Sequence, residues 1–413
     1  MSSLYRKAAT GAIALRLSTL LLASVCALDG APRQEGAPRK YVIGSRIDFL
    51  AGGRNMPAGS GLVPAKEFSP FYATYPSIQM TSTGEHSVLQ TSYAFGYDRI
   101  DSSLPWTSRS HAATSTLSVR PGAKWRVNLS ESFNMTSDLA TFNGIRGVTT
   151  FDQGFSFPFY PVTSQSSVKT NYASFGTDYT FNDKAAMSVS FSHDLRYYGD
   201  AAVAGRLSDQ QRASGNVRYS RRINQRNTWS LGYTGIYLHF RDFENAVSHA
   251  ATIGYSRQFT PYLTLSMNAG PSRVEYLKSR DHSVSYNADV RLEERFKKTS
   301  FSIYFAQYGG DTSGLGSISD TRRAGLNVGV EGRHATLFLD VSVFDSKGKL
   351  DNVYNTRGAM ASASVGLPLN RTFSVNAGGQ YQRYDHTVDF GFEQKRLFIS
   401  LRMNAPALWR FAR

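Results

Sequence analysis

Residues 263–270 read LTLSMNAG, and this short stretch decides the fold. Leucine, methionine and alanine occupy its odd-numbered positions, and threonine, serine, asparagine and glycine occupy the even-numbered ones. A period of two places these two kinds of side chain on opposite faces of a β-strand. The same alternation recurs in residues 125–134, 187–192, 285–292 and 373–382. No stretch after the N-terminal segment has a convincing helical period, so the chain is predicted to be all-β.

Short polar breaks separate pairs of these strands at a nearly constant spacing. They centre near Gly84, Gly122, Asn182, Asn224, Pro261, Lys297, Gly332 and Asn370. Each interval holds two long strands, whereas a propeller blade of about 40 residues holds four short ones. A strand of about 11 residues tilted by about 45° rises roughly 25 Å, the height of the apolar band of an outer-membrane barrel. The repeat therefore indicates hairpins that cross a bilayer twice.

The predicted fold is a transmembrane antiparallel up-and-down β-barrel of 16–18 strands. Strand-like runs counted from Val88 number sixteen, and Ser77–Thr83 adds a seventeenth. Tyr41–Leu50 would be the eighteenth. Because single-chain bacterial barrels have even strand numbers, 18 strands are favoured slightly over 16. The turns at the breaks are short and the opposite loops are long, which places both chain ends in the periplasm.

The first 27 residues have the features of a signal peptide. A basic start is followed by the apolar run LSTLLLASVCA, which is too short to span a bilayer as a helix. Acylation of Cys26 is disfavoured, because the bulky Val25 precedes it. Cleavage after Ala27 would remove the only cysteine and lower the formal net charge from +15 to +12. We expect residues 28–74 to form a linker with the doubtful first strand, and residues 75–413 to form the barrel.

Aromatic residues concentrate near strand ends, as they do in the interfacial girdles of membrane barrels. The girdle candidates are Tyr93, Phe95, Tyr97, Tyr197, Tyr198, Tyr237, Phe240, Phe301, Tyr304, Phe305, Tyr381 and Tyr384. Aromatic residues also favour strands in general, so their number alone does not establish a girdle.

The sequence resembles bacterial outer-membrane β-barrel proteins of porin-like type over about Ser77–Phe411. The resemblance rests on the hairpin repeat, on stretches such as TSTGEHSVLQTSYAFGYDR and SESFNMTSDLATFNGIRG, and on an alternating, aromatic-ended last strand. That strand departs from the family pattern, since Pro406 interrupts it and two residues follow Phe411.

The resemblance implies a location in the bacterial outer membrane. The partners it implies are outer-membrane lipid, lipopolysaccharide and the barrel-assembly machinery, and self-association into a homo-oligomer stays open. No cofactor, no metal and no nucleic-acid partner are expected.

Charged residues on the polar face of the strands are the main functional candidates. They are Arg126, Arg218, Arg291, Arg396, Arg402, Asp289, Glu331 and Asp340. Rings of charge in a narrow pore set ion preference, and the basic excess of the chain favours anionic solutes. Two alternatives stay open. The charges could brace the barrel through ion pairs, or basic loops and rims could contact lipopolysaccharide phosphates.

One loop, residues 138–169, is longer than the others. Loops of this length are usually functional or disordered, and its many aromatic residues argue against disorder. We expect it to fold into the lumen as a constriction, with Arg146, Asp152, Phe155 and Phe157 as candidate residues. Its alternatives are a lid over the outer mouth and a contact with a neighbouring subunit.

No enzyme motif is present in the sequence. It has no HExxH, GxSxG or P-loop pattern and no metal-ligand spacing of cysteine and histidine. The pairs His193-Asp194 and Asp385-His386 are expected to be polar rim residues. The sequence favours a passive pore for small hydrophilic solutes. A non-conducting barrel that binds a surface partner through its loops is the alternative, and an outer-membrane enzyme is disfavoured.

Overall fold

The computed structural model describes residues 40–55, 68–101, 106–136, 168–198, 209–311, 318–348, 355–386 and 392–412. Within these ranges the chain forms 18 antiparallel strands of a single sheet. The strands are β1 (Lys40–Asn55), β2 (Phe68–Thr83), β3 (Ser87–Ile100), β4 (Trp106–Gly122), β5 (Trp125–Thr136), β6 (Val168–Asn182), β7 (Ala185–Tyr198), β8 (Gln210–Arg222), β9 (Asn227–Phe240), β10 (Ala246–Gln258), β11 (Leu263–Tyr276), β12 (His282–Phe296), β13 (Thr299–Asp311), β14 (Ile318–Glu331), β15 (Thr336–Gly348), β16 (Thr356–Pro368), β17 (Phe373–His386) and β18 (Phe392–Ala412). No helix in the described part of the chain is long and apolar enough to cross a membrane.

The sheet closes into a barrel. Each strand pairs with the next one along the chain, and β1 pairs with both β2 and β18. Closure gives the first and last strands a hydrogen-bonding partner on both sides, so no strand edge is left open. The predicted all-β up-and-down barrel is confirmed, and 18 is the correct strand number.

The first two strands are longer than the sequence predicted. The whole of β1 pairs with β2, so the doubtful Tyr41–Leu50 segment is a full member of the barrel. β2 begins at Phe68 rather than near Ser77. Glycine usually indicates a loop in a sequence. At Gly52 it has a packing role instead, because a Cβ there would lie 1.9 Å from the carbonyl oxygen of Leu397.

Pro406 does not end the last strand. The β1–β18 register shifts by two residues between the pairs Ile43–Trp409 and Ser45–Ala405, which bulges the proline out of the ladder. A shift of two residues preserves the facing of the side chains. Trp409 therefore keeps the outward orientation of the apolar residues before it and is 60% exposed.

A charged clasp lies on the inner face of this seam. Asp48 of β1 accepts a hydrogen bond from Arg402 Nε of β18 at 2.7 Å and another from its neighbour Arg46 Nε, also at 2.7 Å. At the outer end of the seam, the Asn55 amide donates to the Glu393 carbonyl oxygen at 2.9 Å. These contacts join chain ends that are more than 300 positions apart in sequence. They supplement the backbone ladder where the barrel closes.

The recurring turn has a common structure at several breaks. The side-chain oxygen of Asn182 accepts hydrogen bonds from the two backbone N–H groups of Lys184 and Ala185, at 2.9 and 3.0 Å. Asn224 and Asn370 make the same pair of bonds to the residues two and three positions later. Such side-chain-to-backbone bonds favour a tight turn. The periodic asparagines thus specify the periplasmic hairpins.

The outer face is apolar and carries an aromatic band near the periplasmic turns. Trp125, Tyr179, Phe181, Tyr219 and Trp229 follow one another around β5–β9, with ring centroids 4.6 to 6.4 Å apart. A ring of this kind marks a membrane interface. Above it most of the large outward side chains are aliphatic or aromatic, and many of them are exposed, which is the pattern of a surface that faces lipid.

The clasp generates a stability prediction. Asp48→Asn should lower the free energy of unfolding by about 1–3 kcal/mol, because both guanidinium groups lose their carboxylate in a mostly buried setting. Urea titration in detergent, followed by tryptophan fluorescence, measures this change. Asp345→Asn is the matched control, since its ion pair with Arg357 lies on an exposed surface and should contribute less than about 1 kcal/mol. Equal effects of the two substitutions would contradict a special role for the seam.

Candidate functional site

The inner wall of the barrel is lined mainly by small polar side chains. Hydroxyl and amide groups of neighbouring strands bond to one another along it. The pairs are Ser92–Thr114 at 2.6 Å, Ser130–Ser174 at 2.6 Å, Ser192–Ser214 at 2.7 Å, Asn216–Thr234 at 2.7 Å and Ser272–Ser285 at 2.8 Å. Such a wall is wettable and keeps its groups hydrogen-bonded to one another.

Charged residues of β12–β15 gather around one tyrosine of this wall. The guanidinium carbons of Arg291 and Arg323 lie 5.9 and 5.4 Å from the centroid of the Tyr304 ring. Asp289 is the inward-facing residue that precedes Arg291 on β12. Asp340, on β15, interacts electrostatically with Arg323 of β14. Three of the predicted candidates, Asp289, Arg291 and Asp340, are thus brought onto one stretch of wall. We call this group, with Tyr304 and Arg323, the wall cluster.

The Tyr304 ring lies over Gly325 of the adjacent strand. A Cβ at Gly325 would come within 2.5 Å of the tyrosine Oη and 2.6 Å of its Cζ. The ring is therefore held close to the wall and not extended across the lumen. The prediction that Tyr304 belongs to an interfacial girdle is wrong, because its position pairs with the inward Arg291 and Gly325.

The wall cluster contains an unsatisfied acceptor. Oδ1 of Asp340 is buried and has no hydrogen-bond partner among the described residues. A buried carboxylate oxygen without a donor is costly, so it would accept a hydrogen bond from water or from a solute. The cluster therefore holds two guanidinium groups and two carboxylates beside an aromatic ring, and Asp340 Oδ1 is the acceptor without a partner.

Arg218 lies along the wall instead of projecting into the lumen. Its guanidinium donates to Ser230 Oγ at 2.7 Å and to Asn268 Oδ1 at 2.9 Å, so it reaches from β8 across β9 and β10 to β11. Gly254 makes room for this path, because a Cβ there would approach both of these acceptors. Arg218 braces the wall and remains exposed to the lumen.

The other predicted lumen charges lie apart from the wall cluster. Arg402 belongs to the seam clasp. Arg126 is exposed at the periplasmic end of β5, directly opposite Asp178 on β6. Glu331 is exposed at the last position of β14, beside a periplasmic turn. The predicted ring of charge is therefore divided among several levels of the barrel.

Two apolar clusters interrupt the polar wall near the outer end. One consists of Phe71, Ala73, Tyr75, Ile100 and Phe398, on β2, β3 and β18. The other consists of Leu238, Phe240, Ala246, Val274 and Tyr276, on β9–β11. Phe240 was predicted to belong to a girdle and instead lies in this inner cluster, 1% exposed. Since β1 and β10 are nine strands apart in a ring of 18, the two clusters lie on opposite sides of the lumen.

Arg396 is part of the first cluster. Its guanidinium carbon lies 4.4 Å from the centroid of Phe71 and 5.7 Å from that of Phe398. It is directly opposite Arg54 of β1 in the ladder, and both are almost fully buried. The alternation of side chains along β18 identified Arg396 as inward-facing, but it could not show that two phenyl rings contact its guanidinium group.

Burial of the inward side chains increases from the periplasmic end to the outer end. Arg196, Gln210 and Gln382, near the outer ends of their strands, are each 1% exposed. Arg126 and Arg218, nearer the periplasmic ends, are exposed. The inward side chains are thus more deeply buried in the outer half of the barrel.

Two further predictions concern residues outside this wall. Arg146, Asp152, Phe155 and Phe157 of the long insert lie outside the described residues, so the predicted constriction stays a prediction. The pair His193-Asp194 does not form a unit, because Asp194 turns inward and accepts a hydrogen bond from Arg196 at 2.5 Å, whereas His193 faces outward. No group of three or more histidine, cysteine or acidic residues in the described ranges could hold a metal ion.

A closed 18-strand barrel with an apolar outer face, an aromatic band and a polar inner wall is a transmembrane β-barrel of the bacterial outer-membrane type. No protein-family model matches the chain, and no curated protein sequence matches it.

Solved structures with a similar fold come from Acinetobacter baumannii and Pseudomonas aeruginosa. OccAB4 of Acinetobacter baumannii is 9% identical, with a TM-score of 0.45 over 90% of this chain and 99% of that one. OpdK of Pseudomonas aeruginosa, solved with vanillate, is 13% identical, with a TM-score of 0.46 over 89% and 98%. OccK2 (OpdF) of the same organism, solved with glucuronate, is 11% identical, with a TM-score of 0.45 over 88% and 98%.

The contact between Tyr304 and Gly325 can be tested by adding one methyl group. Gly325→Ala should displace the ring from the wall and lower the free energy of unfolding by about 1–3 kcal/mol, because the space is already filled. Gly176→Ala is the control, since the nearest atom to its added Cβ is 3.8 Å away. Urea titration of both variants measures the difference. A stable Gly325→Ala variant would show that the ring is not held there.

Proposed function

We propose that the protein is a passive channel of the bacterial outer membrane for small hydrophilic solutes. The observation that carries this proposal is the polar, hydroxyl-lined inner wall of a closed 18-strand barrel. Barrels of 16–18 strands are wide enough to enclose an aqueous path, whereas eight-stranded ones are filled by their own side chains. A wall that is polar over most of its periplasmic half would serve no purpose in a barrel that is packed dry.

The wall cluster is where the channel would discriminate among solutes. Arg291 and Arg323 offer donors to an anionic group, and Asp340 offers an acceptor to a hydroxyl or an amine. Charges that line a narrow path set ion preference through local potential rather than through total charge. Because Asp289 and Asp340 balance the two arginines of the wall cluster, we expect it to favour polar solutes that carry both donors and acceptors, and we expect the anion preference of the channel to be modest.

A non-conducting barrel is the second candidate function. The filling of the outer half supports it, since Phe71 and Phe240 on opposite sides of the lumen are each only 1% exposed. In that case the barrel would be a stable support for outer loops that bind a partner. The two functions differ in one measurable property, which is the passage of ions.

Planar-bilayer recording of the purified full chain tests the channel directly. We expect discrete conductance steps and a reversal potential, under a salt gradient, that indicates a modest anion preference. Swelling of liposomes in small sugars gives an independent measure. Absence of both conductance and swelling, with correctly folded protein, would favour the non-conducting barrel.

The role of the wall cluster has its own prediction. Arg291→Glu should shift the reversal potential towards cations, because it reverses a charge on the inner wall. Arg357→Glu is the matched control, since Arg357 lies on the outer surface, paired with Asp345, and should leave selectivity unchanged. Equal shifts in the two variants would place selectivity elsewhere in the channel.

A further inference from the structure

The lipid-facing side of β5 carries a carboxylate within the apolar band. Glu131 shares its face with Leu129 below and Phe133 above, and it lies six positions above Trp125 of the aromatic band. At about 2.5 Å of rise per residue in a tilted strand, this places it roughly 15 Å above the interface. The other outward-facing acids of the described strands lie near strand ends. Glu131 is therefore an exception to the pattern of the outer surface.

Other polar side chains of this surface are capped by a neighbour. Tyr93 Oη lies 2.8 Å from His111 Nδ1, and Tyr233 Oη lies 2.6 Å from His249 Nδ1. In each case a phenol on the adjacent strand satisfies the imidazole. This arrangement lowers the cost of a polar group in hydrocarbon.

Glu131 is only partly capped, and His193 is not capped. One oxygen of Glu131 accepts a hydrogen bond from Asn171 Nδ2 of the adjacent strand at 3.1 Å, and its other oxygen has no bond among the described residues. His193 makes no hydrogen bond or ion pair within the described part of the chain. The two lie two strands apart, on either side of Ala173 in the ladder Glu131–Ala173–His193. An acid with one unbonded oxygen and a potential base without a bond thus lie half-buried on the lipid-facing surface, close together but not joined.

Small side chains lie directly beside this pair on the neighbouring strands, and the exposed rings of Phe175 and Phe191 lie next to them on the same face, towards the periplasmic turns. Ser115 is directly opposite Glu131 on β4, and Ala213 is directly opposite His193 on β8. Gly215 follows on the same face of β8, and a Cβ there would meet nothing within 4 Å. Small residues let two backbones approach closely, as they do between transmembrane helices.

We propose that this surface, centred on Ala173, is where two copies of this chain associate in the membrane. A two-fold axis through Ala173 places Glu131 on β5 of one copy opposite His193 on β7 of the other, and the reverse contact forms by symmetry. Each carboxylate then accepts a hydrogen bond from an imidazole N–H of the second copy. The interface removes two charged or polar groups from lipid and pairs each with a complementary group.

Disulfide trapping tests the position of the axis. Ala173→Cys in a Cys26→Ser background should form a reducible dimer when isolated outer membranes are treated with a mild oxidant. Val341→Cys is the control, because Val341 is an exposed outward residue of β15, on the opposite side of the barrel. A dimer only from Ala173→Cys supports the proposal. Absence of a dimer, equal dimers from both positions, or a cross-link to a protein of another mass would overturn it.

A charge exchange tests the contact itself. Glu131→Gln should raise the dimer dissociation constant at least tenfold, measured by sedimentation in density-matched detergent. The double variant Glu131→His with His193→Glu keeps the complementary pair and should restore association. Heat-dependent electrophoretic mobility checks that each variant is folded. Failure of the double variant to restore the dimer, although it is folded, would show that the two residues do not meet. The outcome does not depend on whether the barrel conducts ions.

Discussion

The requirement that every backbone N–H and C=O in a bilayer have a hydrogen-bond partner determines this structure. It forces the strands into a closed ring and makes the pairing of β1 with β18 as important as any hairpin. Hairpins form between strands that are neighbours in sequence. The seam instead joins the two ends of the barrel, and bringing these ends together costs more chain entropy than forming a hairpin. The side-chain contacts of Asp48 and Asn55 lie at this seam, where no tight turn connects the two paired strands.

Closure also assigns the two sides of each strand to different solvents. The same alternation that reads as a strand in the sequence becomes an outer face of exposed apolar groups and an inner face of bonded hydroxyls. The assignment changes along β9, where inward positions turn from Thr228, Ser230 and Gly232 to Ile236, Leu238 and Phe240. The position of a residue along its strand therefore matters as much as the face on which it lies. The inner wall is polar towards the periplasm and packed with apolar side chains towards the outside.

Parity and spacing in the sequence were sufficient to predict the barrel, its 18 strands and the inward orientation of Arg218, Arg291 and Arg402. The sequence could not show which residues on different strands meet, because register depends on the closure of the whole ring. Tyr304 and Phe240 show the limit. Both looked like girdle aromatics near strand ends, although the parity of their serine and threonine neighbours already indicated the inner face. Pro406 was read as a break because a two-residue bulge has no signature in sequence.

The basic composition of the chain does not translate directly into a basic lumen. Arg402 is bound to Asp48, Arg396 packs on Phe71 and Phe398, and Arg218 is held by Ser230 and Asn268. Arg402 and Arg218 are engaged through hydrogen bonds, whereas Arg396 is held by its ring contacts, and its Nε and one Nη have no hydrogen-bond partner among the described residues. The net charge of +15 is a property of the whole chain, whereas ion preference depends on the few charges that face the narrow path. In the proposed channel, structural bracing and solute selection would belong to different arginines, with selection assigned to the wall cluster.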